Sequence, residues 1–183
     1  WLECPDNPVH PSYARAVQII MLTGQRVEEI ARLHVDQWDA KERIIDWTKT
    51  KNLQPHAVPV PLLAAELIES IIPNKHGWFF PSAKDPSKPV SHGTLYSFIW
   101  RQRDRGVIPH ATNRDLRRTF KTLAGKAGVP KEIRDRLQNH ALQDVSSKHY
   151  DRWNYMVEKR AGMAKWDKFV RAMLAKKRLK AAA

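Results

Sequence analysis

The segment Arg114-Asp115-Leu116-Arg117-Arg118-Thr119-Phe120-Lys121 constrains the fold more than any other stretch of the chain. On a helix, Arg114, Arg117, Arg118 and Lys121 fall at i, i+3, i+4 and i+7 and predict one basic stripe, while Leu116, Phe120, Leu123 and Ala127 form an apolar stripe on the far side. The apolar stripe needs a core to cover it. The cations then share a face, at about 0.2–0.5 kcal/mol per like-charge pair in an isolated helix. An anion seated on that face removes the cost. Arginine at three of the four positions favours phosphate, because the guanidinium fork binds two oxygens at once.

Charge elsewhere in the chain agrees with this reading. The net charge of +13 is not spread evenly. Up to His92 there are ten basic and eleven acidic residues, and from Gly93 onward twenty-two basic and eight acidic. The excess therefore belongs to one face or one wall of a cleft, and points to a polyanion, either nucleic acid or an acidic membrane surface. At 183 residues with 42% hydrophobic composition the chain can bury a core. Cys4 is the single cysteine, which rules out an internal disulfide and argues against a cysteine-ligated zinc. No apolar run approaches the length of a membrane span, and a reducing cytoplasm fits. The chain opens at Trp1 without the charged start and apolar stretch of a signal peptide, and is expected to be a domain of a longer protein.

The fold class expected is mainly α with a small antiparallel β-sheet. Ser12 is a plausible N-cap for a helix through Ala16, Val17, Ile19 and Ile20 that stops near Gly24. A short helix carries Val27, Ile30, Ala31 and Leu33. Residues 43–48 and 56–60 predict a hairpin with Lys49 near its tip. Helices follow from Pro61 (in a first-turn position) to Ile72, and at about 92–104, 113–127, 130–139 and 143–150. A last amphipathic helix carries Ala161, Trp166, Phe169, Val170, Met173 and Leu174.

Three further pieces lie around the arginine-rich helix. Thr23-Gly24-Gln25-Arg26-Val27-Glu28-Glu29 resembles the T-G-x-R-x-x-E box of the tyrosine recombinases, also called phage integrases, and Thr48-Lys49-Thr50 resembles their T-K-T box. Asn139-His140 and Tyr150-Asp151-Arg152 resemble their G-H and Y-x-R boxes, with gaps of 23 residues from Arg117 to His140 and 10 from His140 to Tyr150. Each box is weak alone. Five in order over residues 15–152 form a specific pattern, and the tail resembles integrases of prophages and genomic islands.

This resemblance implies a catalytic-domain fold of that family over residues 1–183. Residues 12–152 would be the core and 153–183 a C-terminal helix and tail, while the core-binding and arm-binding domains of relatives lie outside this chain. It implies site-specific cleavage and rejoining of double-stranded DNA at attachment sites through a 3′-phosphotyrosine, with no cofactor, metal or ATP. Tyr150 would be the nucleophile, Arg26 and Arg117 would hold the phosphate, Lys49 would be the general acid, and His140 would hydrogen-bond the same phosphate. Glu29 would buttress the Arg26 region. Arg118, Lys121, Lys51 and Arg152 are the expected DNA contacts. A homotetramer on DNA, a monomer in isolation, accessory DNA-bending proteins and a bacterial nucleoid location are the expected partners and setting, with no membrane.

One position departs from the pattern. The family's H-x-x-R is here Arg114-Asp115-Leu116-Arg117, and arginine can bind phosphate but cannot accept a proton. Proton traffic would then fall to His140, with His110 or His149 as helpers. Taken singly, every one of these residues has an ordinary explanation. Arg26 could pair with Glu28 or Glu29, Lys49 could be a solvated hairpin lysine, and Tyr150 a half-buried aromatic. Two other functions compete: a DNA-binding module of the same fold that has lost its chemistry, and a type IB-like topoisomerase.

Overall fold

The computed structural model describes residues 11–47, 55–106, 108, 110–140 and 155–182. Helix α1 (Pro11–Thr23) is the axis of the molecule. Ala16, Ile19 and Ile20 are completely buried on one side of it, and Ala14 and Val17 are buried on another against Phe98, Ile99 and Ile108. A helix apolar on most of its surface must be enclosed, and α1 packs against four others. The helix already includes Pro11, two residues before the start that Ser12 as N-cap predicts, and Ser12 is buried within it.

Gly24 ends α1 with φ +68°, and a Cβ built there would stand 2.3 Å from Cδ1 of Phe120. Only glycine supplies both the left-handed backbone and the clearance. The chain turns directly into α2 (Val27–Ala31) and then, through a 3-10 turn at Val35–Gln37, into a three-stranded antiparallel sheet. Its strands, β1 (Trp38–Asp39), β2 (Ile44–Trp47) and β3 (His56–Pro59), lie in that order. The predicted hairpin is β2–β3, in register Ile45 to Val58 and Trp47 to His56. Ile45, Trp47, His56 and Val58 all face the interior. Strand β1, two residues long, is too short to show any alternation in sequence.

Pro61 sits at the N-cap of α3 (Leu62–Glu69), just outside the first turn that its sequence position predicts. After a loop closed by bridges between His34 and Trp78 and between Pro81 and Pro89, Ser91 caps α4 (His92–Asp104). Thr112 and Asp115 form a reciprocal capping box at the start of α5 (Asn113–Lys126). Gly128 and Pro130 separate α5 from α6 (Lys131–Leu137), which stops two residues short of the predicted end. The helix predicted at 143–150 lies outside the described residues.

Helix α7 (Met156–Ala182) closes the domain. It folds back onto α3, α5, α6 and β3 of its own chain. Met163, Trp166 and Val170 are buried, Trp166 Nε1 donates to Leu22 O at 2.7 Å, and the N–H of Leu63 donates to Asp167 Oδ1 at 2.8 Å. Met173 and Leu174, predicted on the same apolar face, are exposed beyond the end of the core. Among the described residues no helix is long and apolar enough to cross a membrane.

Candidate functional site

The arginine-rich helix does not carry one basic stripe. At about 100° per residue, positions four apart step about 40° around a helix and positions three apart about 60° the other way. The four cations therefore fan over about 100°, and the edge of the core divides them. Arg117 and Lys121 form one ridge, turned toward the core, and Arg114 and Arg118 form another, turned to solvent. Leu116 and Leu123 are half-buried and Phe120 and Ala124 buried, so the apolar face packs as predicted. The moment of the sequence pattern was legible, but the division of labour between the two ridges was not.

Arg117 reaches across to two backbone carbonyls. Its Nη1 donates to Gly24 O at 2.8 Å and its Nη2 to Gln138 O. Arg26, at the entrance to α2, donates through Nη2 to Asn139 O at 3.1 Å and through Nη1 to Glu29 Oε1 at 2.9 Å. The other oxygen of Glu29 accepts from the Arg26 main-chain N–H at 3.1 Å. Thus Glu29 holds both ends of Arg26, the buttress that the resemblance implies. The carbonyls of 138 and 139 are available because the chain leaves α6 at Leu137, where the last carbonyls of a helix lack partners inside it. Asn139 adopts φ 49°, a left-handed conformation that asparagine tolerates where the family has glycine.

Two guanidiniums held side by side repel. Burial, followed by the charge of Arg26, pushes Arg117 down to about 10, with Glu29 acting in the opposite sense. Arg117 remains cationic at neutral pH. A guanidinium has five N–H donors, and the contacts above occupy only two nitrogens of each, so the pair retains donors for an oxyanion.

Gln138 stitches the same floor from inside. Its Nε2 donates to Arg117 O at 2.9 Å and to Gly24 O at 3.3 Å. Beside it, Gln25 is completely buried: its Nε2 donates to Thr23 O at 2.9 Å and Leu137 O at 2.8 Å, and its Oε1 meets His56 Nε2 at 3.1 Å. Burial, then the charge of Lys159, drives His56 down to about 3 against the opposing effect of a hydrogen bond to the Leu137 backbone, with Arg117 and Arg26 adding to the lowering. His56 is therefore a neutral ring.

His140 adjoins this floor. Its Nδ1 lies 3.2 Å from Lys121 Nζ and 3.3 Å from Asp135 Oδ1, and Lys121 forms an ion pair with the same oxygen of Asp135. Burial, reinforced by Arg117 and Lys121, lowers the pKa of His140, while Asp135 acts in the opposite sense. Nδ1 thus faces a donor and an acceptor at once: with its proton on Nδ1 the ring donates to Asp135, and with its proton on Nε2 it accepts from Lys121 and presents Nε2–H. Lys121 was expected to contact DNA; its closest partners here are Asp135 and His140.

The Arg118 side chain is 71% exposed and, among the described residues, reaches only Asp115, at 3.6 Å. Arg114, also exposed, has no ion pair or hydrogen bond among the described residues. His110, a suggested proton helper, is exposed and meets Arg103 Nη1 at 3.2 Å. Lys49, Lys51, His149, Tyr150 and Arg152 lie outside the described residues.

The structure therefore brings Arg26, Arg117, His140, Lys121 and Glu29 together. The sequence boxes did not single out Gln25, Gln138, Asp135 or His56. Gln25 stands at the unspecified position of its box, and the carbonyls of Gly24, Gln138 and Asn139 carry no side-chain signature at all.

Comparison with known proteins bears on the family and the fold. The phage integrase family matches residues 3–155. Prophage integrase IntF of Escherichia coli K12 is 29% identical over 157 residues, which span 80% of this chain and 31% of that protein. Prophage integrase IntA of the same organism is 26% identical over 156 residues, 83% of this chain and 37% of that protein. The chain thus spans about a third of the length of these curated relatives. Among solved structures, an integrase from mycobacterium phage Brujita superposes with a TM-score of 0.70 at 19% identity, over 87% of this chain and 53% of that one. The XerH site-specific recombinase bound to difH substrate gives 0.59 at 20% identity, over 82% and 46%. A lambda integrase tetramer bound to a Holliday junction gives 0.58 at 18% identity, over 77% and 43%.

Proposed function

The chain belongs to the phage integrase family, and we propose that it is the catalytic domain of a site-specific DNA recombinase that cleaves and rejoins strands through a 3′-phosphotyrosine on Tyr150. The observation that carries this reading is the Arg26–Arg117 pair, anchored on the carbonyls of Gly24, Gln138 and Asn139 with His140 beside it. Such a floor suits a phosphodiester. Two permanent cations, fixed before the substrate arrives, stabilise the charge that builds on the phosphoryl oxygens without reorganising.

In this reading the phenol oxygen of Tyr150 attacks phosphorus and the bond to the 5′ oxygen breaks. A tyrosine phenol is a weak nucleophile at neutral pH, since its ordinary pKa is about 10. The arginine pair favours its ionised form as it approaches, and the phenol proton is released to solvent. Lys49 gives a proton to the departing 5′ oxygen, and the Nε2–H of His140 holds a non-bridging oxygen. The phosphotyrosine preserves the energy of the broken bond, so a second 5′ hydroxyl can displace it without ATP. Arg114, exposed beside the pair, binds phosphate where relatives have histidine. Arg118, Lys51 and Arg152 add backbone contacts, and four copies act together on paired attachment sites of a bacterial chromosome, with DNA-bending proteins as accessories.

The test is a pool of duplexes of randomised sequence, each nicked so that cleavage releases a short fragment and traps the covalent product. A protein–DNA adduct on a denaturing gel that disappears in Tyr150→Phe supports the reading. An adduct that survives in Tyr150→Phe refutes the nucleophile, and DNA binding at saturation with no adduct in the wild-type chain favours a binding module.

A further inference from the structure

The buried His56–Gln25 contact has no part in the chemistry just described, yet it joins β3 to the turn that carries Arg26. His56 lies on β3 directly opposite Trp47, the end of β2. Lys49 is two residues further along the chain. Gln25 lies between Gly24, whose carbonyl holds Arg117, and Arg26 itself. Its amide also grips Leu137 O, the carbonyl just before the two that hold Arg117 and Arg26.

The hydrogen-bond inventory fixes the direction of this link. Both contacts of Gln25 Nε2 go to carbonyls, so the amide oxygen must face His56. An oxygen only accepts, so His56 donates from Nε2. The ring also stacks on Trp47, with centroids 5.9 Å apart and planes 11° apart. From the other side, Lys159 Nζ on α7 donates to Ala57 O at 3.0 Å, holding the neighbouring residue of β3. The base of the hairpin is thereby held between the arginine floor and α7.

A buried polar pair with both partners satisfied gains little net stability over an apolar pair, but it defines a single geometry. His56 is 4% exposed and Gln25 0% exposed, so water does not substitute for either partner. We propose that His56 is a positioning residue: its hydrogen bond to Gln25 fixes the ends of β2 and β3 against the turn that carries Arg26, and the proton transfer assigned to Lys49, two residues beyond Trp47 in sequence, depends on that anchor. The proposal rests on the reading of Lys49 as general acid. The neutral ring that burial enforces supports it, since only one nitrogen then donates and the bond has one polarity.

The experiment compares single-turnover cleavage of two nicked duplexes from the trapped pool, one with an ordinary phosphodiester and one with a 5′-bridging phosphorothiolate. A thiolate leaves without a proton because its conjugate acid is far stronger than an alcohol. Lys49→Ala is the reference and should be slow on the first substrate and restored on the second. His56→Phe keeps the ring and its stacking but withdraws the donor. It is expected to slow ordinary cleavage roughly 10- to 100-fold, as misplacement of a reacting group does, and to approach the wild-type rate on the phosphorothiolate. His56→Gln, which places an amide N–H near the Nε2 position, should remain close to wild type on both. Should His56→Phe fail to fold, as judged by its melting curve, His56→Asn withdraws the same donor, since its amide matches the ring at Nδ1. If Lys49→Ala is restored but the His56 variant is equally slow on both substrates, or fast on both, the positioning role is overturned. If Lys49→Ala is not restored, the general-acid reading fails and the proposal fails with it.

Discussion

Arg117 and Arg118 are neighbours on one helix with the same side chain, yet the fold puts them in different physical situations. Arg117 is threaded between α1 and α6 onto two carbonyls, half-buried and electrostatically strained by Arg26. Arg118 is turned to solvent and meets Asp115 in a long contact. Charge is common to both. What separates them is whether the surrounding backbone has fixed the guanidinium in advance. A fixed cation can stabilise a transition state, whereas a solvated one contributes attraction that salt screens.

The largest way to break this contrast is Arg117→Lys. It keeps the charge but loses the fork that spans two carbonyls, so cleavage should fall about 10²- to 10³-fold, as for loss of a fixed oxyanion donor. Adduct formation measured at saturating DNA checks this; near-normal rates would mean that charge alone suffices. Next in size, Gly24→Ala should destabilise the fold by roughly 2–5 kcal/mol in denaturant unfolding, combining left-handed strain with overpacking against Phe120. It would also displace a carbonyl that anchors Arg117.

Acid should loosen the same floor. The folded pKa of His56 is depressed to about 3 while the unfolded ring titrates near its usual 6.5. Between those values the unfolded chain binds more protons. Stability therefore rises with pH across that window and is lost on descending it, by up to about 1.4 kcal/mol per pH unit. Denaturant midpoints from pH 4 to pH 7 should show a shallower slope in His56→Gln, and an unchanged slope would contradict the assignment. The smallest effect is expected from Arg118→Ala. Stability should change by less than about 0.5 kcal/mol, and the slope of log affinity against log salt should fall by about 1.

The sequence made the scaffold of this site legible through its strongest local signals. The amphipathic pattern of α5, the stop at Gly24 and the break at Gly128-Val129-Pro130 each express backbone or burial rules that act within a few residues. Arg26, Arg117 and His140 were legible because their boxes occur together in order. Their anchors were not. The acceptors of Arg117 are main-chain oxygens 93 and 21 residues away, and a carbonyl is the same at every position. The split between the two ridges of α5 was hidden because a helical wheel gives angles but not where the core begins. Helix α7 carries an apolar face whose cover the sequence does not name, and the seating of Trp166 under Leu22 O with the Leu63–Asp167 bond shows that its own domain covers it.

The contrast on α5 is tested most directly by measuring the single-turnover rate of covalent adduct formation at saturating nicked DNA for Arg117→Ala and Arg118→Ala, side by side with Tyr150→Phe as the blank. If the carbonyl-anchored arginine is the phosphate site, Arg117→Ala should lose at least about 100-fold while Arg118→Ala keeps the wild-type rate. Equal losses in the two variants, or a greater loss in Arg118→Ala, would contradict it.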